Sequence, residues 1–171
     1  SSRYTRRNRA EYRKIAGYIA RCVWQRQGNY MVFFPSYRLM EDVLQVYEEE
    51  FSVDWVRCVC QTTDMTEQER EGFLEEFQER EGTLVGFCVL GGIFSEGVDL
   101  TGESLIGAVI VGTGLPQIGS QREILKEYYD KKNHCGFDYA YRYPGMNKVL
   151  QAAGRVIRTK EDKGVILLLD D

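Results

Sequence analysis

The sequence predicts an α/β domain in three layers, with a mainly parallel sheet covered by helices on both faces. Five short apolar runs predict the strands: Met31–Phe34, Val56–Cys60, Leu84–Leu90, Ile106–Val111 and Val165–Leu169. They are rich in Val, Ile, Leu and Phe and do not alternate with polar residues, as expected of parallel strands buried on both sides. Amphipathic stretches lie between them, and strands alternating with helices of these lengths build a parallel sheet. No repeat or low-complexity tract interrupts the pattern, so residues 1–171 are expected to form one domain.

Each helix has its own signal. Tyr12, Ile15, Ala16, Ile19 and Val23 form a stripe at helical spacing ahead of the first strand. A second helix is expected after Ser36, burying Leu39, Met40, Val43 and Tyr47. The third opens on Thr66, followed three residues later by Glu69, which is the pattern of a capping box. It should bury Phe73, Leu74 and Phe77 and stop at Gly82. Residues 118–132 repeat the amphipathic pattern with Ile118, Leu125, Tyr128 and Tyr129. The last helix is expected to begin near Pro144, a residue favoured in a first turn.

With 171 residues and 43% hydrophobic content, the chain can bury a core of its own. No apolar run approaches the ~20 residues of a membrane span, and no signal peptide is evident, so a cytoplasmic protein without a membrane partner is expected. The five cysteines, at 22, 58, 60, 88 and 135, include no CxxC pair and offer no metal frame. His134 is the single histidine and reads as a surface or loop residue. The net charge of −4 conceals an asymmetry. Arg3, Arg6, Arg7, Arg9, Arg13, Lys14, Arg21 and Arg26 face only Glu11 in the first 26 residues, which suggests a local polyanion contact on an otherwise acidic body.

Residues 144–158 carry the sharpest chemistry. On a helix, Gln151, Arg155 and Arg158 fall within about 60° of one another, flanked by Asn147 and Lys148. Met146, Val149, Leu150, Ala153 and Ile157 would face the sheet, and Ala152 and Gly154 leave little bulk beside the arginines. One amide and two guanidinium forks in a row suit a phosphate chain, because arginine meets phosphate oxygens bidentately and stays charged. A solvated basic face is the plainer alternative.

The third apolar run leads into Gly91-Gly92-Ile93-Phe94-Ser95-Glu96-Gly97-Val98-Asp99. In open parallel sheets, ligands sit beyond the carboxyl ends of strands, where such loops collect. Taken alone, this loop is a weak signal.

Together, three segments are specific: Phe33-Phe34-Pro35-Ser36-Tyr37, then Ser95-Glu96-Gly97-Val98-Asp99, then Gln151-Ala152-Ala153-Gly154-Arg155-Val156-Ile157-Arg158. In this order they resemble motifs IV, V and VI of the XPD/DinG-type branch of superfamily 2 helicases, with bacterial DinG-type proteins looking closer. The resemblance covers essentially the whole chain and implies the second RecA-like motor domain of a larger protein. It implies that ATP, with Mg2+ held mainly by the first motor domain, binds in the cleft between the two. Gly97, Asp99, Gln151, Arg155 and Arg158 would then face the nucleotide, with Arg155 and Arg158 as catalytic arginine fingers. Ser95 and Glu96 would link nucleotide to DNA, while Ser36, Tyr37 and Pro116 would face single-stranded DNA. Any 4Fe-4S cluster would belong to the other half, and movement on DNA would run 5′→3′.

A motor also needs a phosphate loop, G-x-x-x-x-G-K-[ST], and an acidic magnesium motif. Gly114 and Gly119 have the glycine spacing, but Ser120 stands where lysine is required. Asp170-Asp171 follow a strand, yet no phosphate loop lies upstream. The chain alone is therefore expected to be inactive. Two other readings are an ATP-regulated DinG-type exonuclease containing the same domain and a non-catalytic scaffold.

Overall fold

The computed structural model describes residues 8–78, 82–94, 104–157 and 160–170. Of the residues singled out above, Arg3, Arg6, Arg7, Ser95, Glu96, Gly97, Val98, Asp99, Arg158 and Asp171 lie outside them.

All five expected strands form: β1 (Asn29–Phe34), β2 (Val56–Cys60), β3 (Thr83–Val89), β4 (Gly107–Val111) and β5 (Val165–Leu169). They pair in the order β2-β3-β1-β4-β5, and every pairing is parallel. β1 and β4 are buried throughout, and β3 along all but its last residue, as continuous apolar runs should be. Helices cover both faces of the sheet, most completely over its central strands. β2 and β5 are only partly buried, and Val165 and Leu168 are exposed. An apolar run shows that a strand can be buried; its place in the sheet depends on pairings made far along the chain.

Two helices cover one face. α1 (Arg9–Val23) buries Ile15, Ala16, Ile19, Ala20 and Val23. α2 (Tyr37–Glu50) buries Leu39, Met40, Val43, Val46 and Tyr47, and Ser36 caps it by accepting from the Leu39 N–H. α3 (Glu67–Glu76) starts with the expected Thr66–Glu69 capping box. It packs the opposite face through Phe73 and Phe77, with Leu74 half-buried. It ends at Phe77 rather than at Gly82, because the backbone leaves the helix several residues before the glycine.

α4 (Ser120–Asn133) corrects the expected stripe. It buries no residue: Ile118 is 84% exposed, Tyr128 56% and Leu125 39%. It leans on a π-helical segment, Asp138–Arg142, instead of on the sheet. The Tyr141 hydroxyl donates to Glu123, Arg122 donates to the Ala140 carbonyl at 2.9 Å, and the Tyr129 and Tyr139 rings stack at 4.0 Å. His134 ends α4 as an exposed residue with φ of 57°.

α5 (Tyr143–Ala153) follows the π segment, with Pro144 in its first turn as expected. Its buried stripe differs from the expected one. Gly145, Val149, Ala152 and then Val156 face the sheet, while Met146, Leu150 and Ile157 are exposed and Ala153 is half-buried. Ala152 therefore packs inward and does not line the arginine face. Gly145 is favoured where α5 meets the segment after β4, since a Cβ there would lie 2.9 Å from the Thr113 carbonyl.

Candidate functional site

Because all strands are parallel, their carboxyl ends share one edge of the sheet, and several candidate residues gather there. Ser36 and Tyr37 follow β1 directly, Gly91 and Gly92 follow β3, and Pro116 lies in the segment after β4. Ser36 uses its oxygen as the α2 cap, which leaves the hydroxyl proton available to another acceptor. Tyr37 is half-buried and donates to the Thr62 carbonyl at 3.4 Å. Burial raises its phenol above the usual range, so the ring carries a neutral hydroxyl at working pH.

The arginine segment reaches the opposite edge. α5 begins beside Thr113 and Leu115 at the carboxyl ends. Its continuation brings Val156 against Gly164 and Ile106, the residues immediately before β5 and β4. Gln151 is exposed on the last turn of α5; Arg155 is half-buried in the turn just past its Gly154 cap, donating its backbone N–H to Ala152. The helix therefore does not continue to Arg158 as expected. From Pro144 to Ala153 the helix rises about 14 Å, so the two groups of candidates occupy different levels. The carboxyl-edge rule that located the glycine loop does not locate Arg155.

One side chain spans part of that separation. Lys148, one turn before Gln151, lies over Gly91, where a Cβ would sit 2.9 Å from its Cε and 3.1 Å from its Nζ. Gly91 also has φ of 72°, so the backbone favours glycine there, whereas the end of the Lys148 side chain could swing aside.

The basic N-terminal segment is partly matched within the chain. Arg9 meets Glu49 at 2.6 Å and Glu50 at 3.4 Å, Arg13 meets Glu50, and Lys14 meets Glu11 at 2.7 Å. Glu48, Glu49 and Glu50 end α2, where the helix dipole disfavours negative charge, and the α1 cations offset that. Exposed pairs of this kind add little stability. They do occupy charges that the sequence alone left available to a polyanion.

All five cysteines are free thiols, and burial, with smaller contributions from Glu48 and Cys60, pushes Cys58 up to about 12. Among the described residues no group of three His, Cys, Asp or Glu side chains could hold a metal, and no helix is long and apolar enough to cross a membrane.

Known proteins share this arrangement. Residues 19–171 match the family described as the helicase C-terminal domain. A relative named ATP-dependent DNA helicase XPD, from Sulfolobus acidocaldarius, is 28% identical over 99% of this chain and 30% of its own length. A regulator of telomere elongation helicase 1 homolog from Culex quinquefasciatus is 30% identical over 84% of this chain and 16% of its own length. The chain thus spans under a third of the length of these relatives. A solved structure of apo XPD superimposes with a TM-score of 0.78 at 24% identity, covering 99% of this chain and 34% of that one. With its all-parallel sheet between helices, the chain has a RecA-like α/β fold and belongs to the helicase C-terminal domain family of XPD-type helicases.

Proposed function

We propose that residues 1–171 form the second motor domain of an ATP-dependent DNA helicase. The domain would supply arginines to an ATP that a first motor domain of the same protein holds. The observation that carries this reading is the arrangement of α5. Gly145, Val149, Ala152 and Val156 bind it to the sheet, so Gln151 is carried on its outer surface and Arg155 at its exit. The Gln151 amide would donate to a phosphate oxygen. Arg155, with Arg158 beyond it, would place guanidinium forks against the γ-phosphate as negative charge develops there. Gly97 and Asp99 would complete the nucleotide side. The chain has no G-x-x-x-x-G-K-[ST] segment, so ground-state phosphate binding is assigned to the first domain. Mg2+ would be held mainly by that domain as well.

Single-stranded DNA would cross the carboxyl edge, past Ser36, Tyr37 and Pro116, with Ser95 and Glu96 linking that edge to the nucleotide. Domain closure on ATP and opening after phosphate release would then move the protein along the strand. A bacterial DinG-type parent remains part of this proposal.

A salt series of single-stranded DNA binding tests the nucleic-acid part in the complete helicase. Each Lys or Arg contact to phosphate adds roughly 0.7 to the log–log slope. Arg9 and Arg13 already hold Glu49 and Glu50, so replacing them by alanine should leave the slope near its parental value. Replacing Arg3, Arg6 and Arg7 should flatten it. A slope that ignores those three replacements removes the N-terminal segment from the DNA path.

A further inference from the structure

The carboxyl edge of the sheet is tied together by one buried amide. Gln61 is the residue after β2 and is only 2% exposed. Its Nε2 donates to the Tyr37 hydroxyl at 2.8 Å, and its Oε1 accepts from the Val89 N–H at 3.0 Å. Its own backbone N–H donates to the Phe87 carbonyl at 2.8 Å. The side chain also lies against Gly92, where a Cβ would come within 2.9 Å of Nε2 and 3.0 Å of the Val89 carbonyl. Gly92 in turn donates to that carbonyl at 3.0 Å, closing a turn at the end of β3.

A buried amide persists only where its donors and acceptor are met. Here the partners belong to two different elements. Tyr37 opens α2 on the surface proposed to face DNA, and the Val89–Gly92 turn lies a few residues ahead of Ser95, Glu96, Gly97 and Asp99 in the chain. The other side of this turn is covered by Lys148 of α5, over Gly91. Lys148 and Gln151 sit one turn apart on that rigid helix, with Arg155 at its exit. Gln61 thus stands between the Tyr37 hydroxyl and the turn that the Lys148 side chain of α5 approaches at Gly91.

We propose that Gln61 is a positioning residue for DNA-stimulated ATP hydrolysis: it fixes the Tyr37 hydroxyl to the Val89–Gly92 turn, so that DNA engagement at Tyr37 is felt at the end of β3, ahead of Gly97 and Asp99 in the chain, and, through Lys148, at α5. The proposal rests on the helicase reading above. It predicts a defect in stimulation, distinct from a defect in folding or in basal turnover.

The test uses the complete helicase and measures ATP turnover with and without saturating single-stranded DNA for the parent, Gln61→Met, Tyr37→Phe, the double variant and Arg155→Ala. Gln61→Met should lower the stimulation ratio by about 5-fold or more, with turnover in the absence of DNA within about twofold of the parent. Tyr37→Phe removes the same hydrogen bond from its other end and should also lower the ratio. The double variant should fall short of the product of the two single effects, because both lose the shared Gln61–Tyr37 hydrogen bond. Thermal melts establish folding, and if Gln61→Met fails to fold, the loss of stimulation in Tyr37→Phe carries the test. Full stimulation in folded Gln61→Met or, where that variant does not fold, in Tyr37→Phe overturns the proposal while Arg155→Ala is still inactive. Multiplying effects in the double variant also overturn it. Near-parental turnover in Arg155→Ala, or a parent that does not respond to DNA, instead brings down the helicase reading on which it rests.

Discussion

Replacing Arg155 or Arg158 by alanine in the complete helicase is expected to lower kcat for ATP hydrolysis by about 10³–10⁵, the range that arginine fingers supply in phosphoryl transfer. ATP affinity should fall far less. The phosphate loop expected in the first domain would hold the ground-state nucleotide, whereas the arginines would act as charge develops on the transferring phosphoryl group. Binding energy realised only in the transition state appears in kcat. Lysine should rescue poorly, since a compact ammonium cannot reproduce the planar fork that meets two oxygens at once. Unwinding should be lost together with hydrolysis. The alternative of a solvated basic face makes the opposite forecast, with near-parental turnover in both folded variants.

Phe87→Ala should be the most damaging of the simple core truncations. Phe87 is fully buried on β3, the strand held between β1 and β2. Its ring stacks on Phe34 of β1 at 5.9 Å and meets Tyr47 of α2 edge-on at 5.7 Å, so one side chain joins two strands and the helix above them. Truncating a buried phenylalanine costs about 3–5 kcal/mol through lost burial and the cavity left behind. For a domain of this size that lowers Tm by roughly 6–20 °C. A melt within a few degrees of the parent would show that the core does not depend on this junction.

The sequence exposed some levels of this structure and hid others. All five strands could be read because their apolar runs are short and bounded by turn residues. The Ser36 cap and the Thr66–Glu69 box could be read because capping is settled within three residues. What depended on distant partners could not. The edge positions of β2 and β5 follow from the pairing order, which an apolar run does not encode. The Arg9–Glu49 pair joins residues 40 apart. The stripe of α4 looked like a core face, yet the helix buries no residue and packs on the π-helical segment, which has no signature in composition.

The candidate site divides in the same way. The Gln-x-x-Gly-Arg-x-x-Arg pattern marked the arginine segment, but α5 is apolar over more than half its circumference, so periodicity did not choose between the Met146–Leu150 face and the Val149–Ala152 face. Helical spacing also aligned Gln151 with Arg155, whereas the helix ends at Ala153 and delivers Arg155 from a turn. Gln61 escaped notice because a lone glutamine after a strand has no motif; only the fold brings Tyr37, Val89 and Gly92 around it.

Phosphate release from the 1–171 chain alone, with ATP, Mg2+ and saturating single-stranded DNA, tests the division of labour most directly. The chain would contribute arginines and has no G-x-x-x-x-G-K-[ST] segment, so the account predicts no turnover above background. Steady turnover that survives repurification and disappears in Arg155→Ala would contradict it, because this domain would then hold and hydrolyse ATP without a partner.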